Sequence, residues 1–419
     1  MLLRDPIHGD ITLNALETTV LALPVVQRLR GIKQLGMAYL VYPGAQHTRF
    51  EHSVGACAVA HRLIANLRQA GCAFSPELED AVGVAALLHD VTHVPFGHTL
   101  EDERRLFARH DKGSRLADMF EGELGEALAR LGIRNVVAAL LDLDSTADVP
   151  RIARDIVSGS IDADLLDYLR RDSFYSGLAH NYDDRIFNCF AERDDRLVVR
   201  LVRRGVDRPD VRSEIISLLR LRYFLTERVY YHHTKVTAGA MLSKAVEQAL
   251  DCDILTERDL LKLNDWTLLD RLVTSGVADI ERLAQRVLDR DLLKRAYVVS
   301  GRSVPIGLRK TWVARYHEAH VDRTQKETEI AEALGVPFAD IVLYCPALTL
   351  MKEAAVPVET SRGLEFLNDA QGSTLDEIHA LQDRYADLWR FYVFAPAQVA
   401  ERAAAVAEEL FQVPNELVF

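Results

Sequence analysis

The chain has 419 residues, 49% hydrophobic and 27% charged, with a formal net charge of -12. That composition sets it apart from disordered chains. The acidic balance argues against a protein that coats nucleic acid through bulk charge, which needs many cationic contacts with phosphates. The length predicts two domains, or one large domain with an appendage.

Cys57, Cys72, Cys189, Cys252 and Cys345 are odd in number and never spaced as CxxC, which predicts reduced thiols and no zinc knuckle. There is no apolar run of about 18 residues and no signal-like start. The reading is a soluble, cytoplasmic protein that spans no membrane.

In chain order, a short segment around Asp5-Pro6-Ile7-His8-Gly9 precedes a helical stretch between Pro24 and Gly36. Apolar residues recur at helical spacing from Thr48 to about Ala70, with His52 in the first turns. Ser75 is a candidate N-cap, Pro76 takes the first helical position, and this helix delivers His89 and Asp90 at its C-terminal end. Residues 99 to 157 read as further helices, with a loop at Asp142 to Asp148.

From Ile161 to Tyr175, residues Asp164, Tyr168 and Asp172 drift by only about 40° per step and share one polar helix face, while Leu165, Leu166 and Leu169 can pack. Residues 194 to 204 give the only strong strand signal of the first half. A long helix is expected from Ser213 to about Ala249, carrying Arg222, Tyr230, His232, His233 and Lys235. Strand-like runs at Tyr297, Ile341 and Phe391 predict a small α+β C-terminal part, divided as 1–295 and 296–419.

The stretch His89-Asp90-Val91-Thr92-His93-Val94-Pro95-Phe96-Gly97-His98 holds three histidines and an aspartate. Imidazole nitrogen with carboxylate oxygen suits a divalent transition metal, with further ligands drawn from elsewhere in the chain. His52, His89-Asp90 and Asp164 resemble the signature of the HD superfamily of metal-dependent phosphohydrolases. The flanks Asp5 to Gly9, Gln27 to Arg30, Lys33 to Gly36, His47 to Ser53, Pro95 to His98 and Asp164 to Asp172 resemble its deoxynucleoside triphosphate triphosphohydrolase branch, over residues 3 to 240.

The resemblance implies a mainly α fold with an HD-domain helical core. It implies a metal held by His52, His89, Asp90 and Asp164 (Mn, Fe, Ni or Zn, with Mg accompanying the nucleotide). It implies hydrolysis of dNTPs to deoxynucleoside and triphosphate. The carried-over roles are leaving-group chemistry for His98 with Glu101, a phosphate-side position for His93 and His110, the latter counted with the catalytic residues, phosphate contacts for Arg49 and Arg222, and sugar or base contacts for Gln34, Leu35, Tyr168, Asp172 and Tyr230. A homotetramer or dimer of dimers with a regulatory nucleotide is the family habit. Thr92 replaces the glycine usual there, Leu165 stands in place of a phosphate-binding lysine, and Ala22 in place of an acidic guanine reader, so guanine-specific activation is not implied.

Alternatives stay open at this level: another phosphoester substrate, a nucleotide sensor without turnover, hydrogen bonding to the ligands by His98, Glu101 and His110, and carboxylate pairing by Arg49. Isolated His8 and His61 read as structural residues, and nucleic-acid contact by the basic runs as improbable.

Overall fold

The computed structural model describes residues 1–110, 113–348, 355–369 and 373–419. Helices Arg49–Gln69 and Pro76–Leu88 lie against each other, and helix Ala163–Tyr175 packs on the first. Their starts follow from local chemistry. Thr48 and Glu51 form a reciprocal capping box, and Ser75 accepts the Leu78 N–H with Pro76 in the first position. Val54, Cys57, Ala60, Leu63, Ile64 and Leu67 form the inward stripe of the first helix, packed in one core with Leu165, Leu166 and Leu169.

The C-terminal part carries a three-stranded antiparallel sheet in the order Lys294–Ser300, Arg390–Ala395, Val342–Tyr344. Helices His320–Leu334 and Ala400–Phe411 cover it. The architecture is therefore mainly α with a small α+β C-terminal region. Packing crosses position 296 in both directions. Strand Pro357–Thr360 pairs in parallel with Arg196–Arg200 of the helical body, and Ile378, Leu381 and Tyr385 join the body's core.

Several elements differ from the sequence reading. The helix expected from Ser213 to Ala249 is two helices, Pro209–Leu225 and His233–Asp251, joined by a wide turn at Thr226–Tyr230. Residues 99 to 114 hold only a wide turn at Thr99–Glu103 among the described residues, and regular helix resumes at Arg115. The helical stretch after Pro24 ends at Gly31, because Lys33 turns into a β-bridge with Thr48. A hairpin of Leu2–Asp5 with Gly9–Thr12 is an additional β element of the first half.

Where the helical body meets the C-terminal sheet, five charged side chains are buried together. Arg104 donates to Glu247 and Glu327, Arg323 donates to Glu247, and Lys244 Nζ lies 3.1 Å from Glu327 Oε2 while donating to the carbonyls of Phe338 and Ile341. Burial pushes the Lys244 ammonium down to about 8. Burial opposes charge on Glu327 too, but Arg104 and Lys244 outweigh it and bring that carboxyl down to about 2.

The signs give a pH signature. Glu327 contributes stability that is complete above its ordinary value of 4.5 and is lost as pH falls toward 2. Lys244 binds fewer protons folded than unfolded between pH 8 and 10.5, so its contribution rises with pH there. In thermal unfolding, Glu327→Gln is expected to lose roughly 3–5 kcal/mol at pH 7 and to flatten the acid limb, since it leaves buried cations unpaired. A midpoint equal to the parent's would contradict this role.

Candidate metal centre

His52 comes from the first turn of the Arg49–Gln69 helix, His89 and Asp90 from the end of Pro76–Leu88, and Asp164 from the first turn of Ala163–Tyr175. Their ligand atoms converge. His52 Nε2 lies 3.2 Å from His89 Nε2, 3.0 Å from Asp164 Oδ1 and 3.6 Å from Asp90 Oδ2, and His89 Nε2 lies 3.5 Å from Asp90 Oδ1. Two imidazole nitrogens facing each other across two carboxylates form a donor set that fits a divalent transition ion. His52 is fully buried, whereas the Asp164 side chain is 38% exposed, so the centre opens on the Asp164 side.

The outer ring nitrogens are also held, which fixes the inward ones as lone-pair donors. His89 Nδ1 donates to the Ala86 carbonyl at 2.7 Å, and His52 Nδ1 donates to Asp167 Oδ2 at 2.8 Å. Asp167 is itself fixed by Arg171 through both oxygens and by His8 Nε2 at 2.6 Å, and Arg171 reaches Asp5. A Cβ on Gly55 would lie 2.0 Å from Asp167 Oδ1, so this close helix approach requires glycine there.

Burial disfavours charge on His52, but Asp164 and Asp167 outweigh it and push this imidazole up to about 10. Burial likewise opposes ionisation of Asp164, yet His52 and His89 hold it well below the usual carboxylate range.

A second group of histidines adjoins Asp90. Its Oδ1 lies 3.1 Å from His93 Nε2 and 3.5 Å from His110 Nε2, and the His93 and His110 rings are 3.8 Å apart. His98 Nδ1 donates to Glu101 Oε2 at 3.0 Å, with His110 Nδ1 at 3.5 Å and Arg115 on the other oxygen. Burial opposes charge on Glu101, but His110 and His98 hold it ionised far below its ordinary range. Burial, then Arg49 and His110, keep His93 neutral.

Arg49 is buried and donates through Nη1 to Asp90, so it pairs with a metal-type ligand, while its Nε and Nη2 have no hydrogen-bond partner. The sugar-side candidates also gather. His47 Nε2 and the Tyr230 hydroxyl donate to the two oxygens of Asp172, at 2.9 and 2.7 Å, and the Gln34 N–H donates to the His47 carbonyl. Gln34 Oε1 is buried without a partner, Leu35 is buried beside it in sequence, and Arg222 sits over the Tyr168 ring at 5.7 Å.

Sequence reading passed over three supporting residues. Asp167 had a local signal, its four-residue spacing from Arg171. Asp265 had none: it accepts the N–H of Lys33 at 2.9 Å and of Phe96 at 2.6 Å, and so ties together the loops carrying Gln34 and His98. Phe96 is held at a φ of 60°, a strained setting for a bulky residue. Arg28 donates to the carbonyls of Val91 and His93 from the other side.

The HD domain model matches residues 49–172, and the HD associated region model matches residues 193–417, more than half of the chain. The chain belongs to the HD-domain phosphohydrolases, with an HD domain followed by an HD-associated region. It is similar to an uncharacterized protein of Methanocaldococcus jannaschii, 29% identical over 407 residues, covering 94% of this chain and 79% of the relative.

It is also similar to deoxynucleoside triphosphate triphosphohydrolase SAMHD1 of Mus musculus, 29% identical over 292 residues, which cover 59% of this chain. The match spans only 44% of that enzyme's length. A crystal structure of a phosphohydrolase from Bacteroides thetaiotaomicron shares the fold, with a TM-score of 0.71, 24% identity, and 94% of this chain and 99% of that one covered. No described helix is long and apolar enough to cross a membrane.

Two substitutions test the supports. Asp167→Asn is expected to weaken divalent-metal affinity by about 10- to 100-fold in a calorimetric titration, because the His52 ring loses its anchor; unchanged affinity would remove Asp167 from the site. Asp265→Asn leaves a backbone N–H facing an amide donor and is expected to lower stability by about 1–3 kcal/mol in denaturant unfolding. An unaltered transition would contradict the assignment.

Proposed function

We propose that the chain hydrolyses deoxynucleoside triphosphates to deoxynucleoside and inorganic triphosphate, at a metal centre of His52, His89, Asp90 and Asp164. The observation that carries this reading is the double use of Asp90. One oxygen faces His52 and Arg49, and the other faces His93 and His110. A lane of imidazoles running away from a metal-type centre suits a polyphosphate, whose first phosphate sits at the metal and whose others meet hydrogen-bond donors.

A divalent ion bound there, Mn, Fe, Ni or Zn, supplies Lewis acidity and a nucleophile at neutral pH. The residues of the chain do the rest. Water oxygen bonds to the α-phosphorus and gives up one proton to solvent, the bond from phosphorus to O5′ breaks, and O5′ takes a proton. Doubly protonated His98 is the donor: Glu101 holds its Nδ1–H, and the Nε2 proton passes to the leaving oxygen, leaving a neutral ring that solvent protonates again. Glu101 and His110 support that proton transfer from behind.

Arg49 keeps two buried donors without partners, which phosphate oxygens would satisfy bidentately. Arg222 and His93 add phosphate contacts, and Mg accompanies the triphosphate. Gln34 and Leu35 crowd C2′, so a ribose hydroxyl would be desolvated without a partner, while Tyr168, Asp172 and Tyr230 line the sugar side. Similarity to SAMHD1, named as a deoxynucleoside triphosphate triphosphohydrolase, supports the same substrate class. A homotetramer or dimer of dimers with a regulatory nucleotide, working in the cytoplasm, completes the proposal.

Purified protein supplied with Mn2+ is incubated with each dNTP and with all four together, and products are separated by chromatography. Deoxynucleoside with tripolyphosphate is the expected outcome; nucleotide with pyrophosphate, or no turnover with metal bound, would overturn the reading. His98→Ala is expected to retain nucleotide binding and lose about 10²- to 10⁴-fold in kcat. An unchanged kcat would take His98 out of the reaction.

A further inference from the structure

A second set of metal-type side chains lies outside this centre, between helices Ala15–Leu21, Arg49–Gln69 and Pro76–Leu88. Glu17 Oε1 is 2.5 Å from His61 Nε2, and Cys57 lies beside both. One ligand atom from each of the three falls within 4.8 Å of the others. Cys57 and His61 are four residues apart and so share a helix face. His61 lies nine residues beyond His52, about 13 Å along the axis, which makes this a separate place.

Two of the three, His61 and Glu17, are anchored from behind. His61 Nδ1 lies 3.3 Å from Glu79 Oε1, and Glu79 is paired with Arg68, so the ring is set with Nε2 toward Glu17. The other oxygen of Glu17 accepts the Asn14 N–H at 2.9 Å. Gly83 lets both side chains lie against the third helix: a Cβ there would lie 2.3 Å from Glu17 Oε1 and 2.8 Å from His61 Nε2, so a larger residue would displace them. Asp80 adds a third carboxylate beside Glu17 and Glu79, and burial together with Glu17 raises its carboxyl.

We propose that Cys57, His61 and Glu17 form a second metal site for a zinc-class dication, with Glu79 orienting the imidazole. Thiolate, imidazole and carboxylate are the donors of a borderline-soft ion, whereas calcium or magnesium would take oxygen ligands. Three protein ligands leave a fourth position on the side where His61 is 28% exposed. Binding releases the Cys57 proton, which burial otherwise keeps on the sulfur, and the proton shared by Glu17 and His61. The ion pins the first helix to the two that carry His52 and His89.

Cobalt reads the site directly, because the His52 centre has no sulfur ligand. Metal-stripped full-length protein is titrated with Co2+ and followed at the near-ultraviolet thiolate-to-cobalt charge-transfer band, with circular dichroism as the check on folding. The band is expected to saturate by two equivalents, one for each centre, to vanish in Cys57→Ser, to need at least about tenfold more Co2+ in His61→Gln, and to be unchanged in Cys345→Ser. If Cys57→Ser fails to fold, His61→Gln carries the test. No band in the parent protein, or a band that survives both substitutions, would overturn the site.

Discussion

Two imidazole nitrogens 3.2 Å apart, faced by two carboxylates, are the constraint on which the helical body depends. The arrangement needs a positive charge at its middle, a metal ion or a proton, because lone pairs and anionic oxygens otherwise repel. It also needs each ring held from behind, since an unanchored imidazole would turn its nitrogen away. The Ala86 carbonyl holds one ring and Asp167 the other. Asp167 then requires Arg171, His8 and a glycine at 55, and Arg171 requires Asp5. The N-terminal hairpin is thus coupled to the metal-type centre through a chain of buried hydrogen bonds.

The HD-associated region bears on the same site from the opposite side. Asp265 fixes the backbone at Lys33 and Phe96, Ser243 donates to the Thr99 carbonyl, Lys235 pairs with Glu103, and Glu247 and Glu327 hold Arg104. All of these contacts except that to Lys33 grip the segment from 94 to 104, which carries His98 and Glu101. That segment is short of regular helix, so its shape comes from these external anchors and little from its own backbone bonding. The second matched region therefore helps to shape this segment of the first.

The sequence made the convergent residues visible and the supports much less so. His52, His89, Asp90 and Asp164 stand in flanks specific enough to single them out, and the Ser75-Pro76 start and the buried stripe of the first helix are local signals that local structure obeys. Asp167 was hidden by reading the Ile161 to Tyr175 helix in steps of four; it lies three residues past Asp164, still on the side that meets His52. Asp265 and Glu327 act across more than 160 and 220 residues, a distance at which no periodicity carries information. The break at Tyr231 and His232 has neither proline nor glycine to announce it. Tyr230 and Tyr42 are bonded to neighbouring elements there, and tertiary contact overrides helix propensity.

The most direct test of the account is anomalous diffraction from crystals of the Mn2+-loaded protein. The account predicts a peak within coordination distance of His52 Nε2, His89 Nε2, Asp90 and Asp164, with His52 Nδ1 still bonded to Asp167. A peak elsewhere, with these four side chains occupied only by one another, would contradict it.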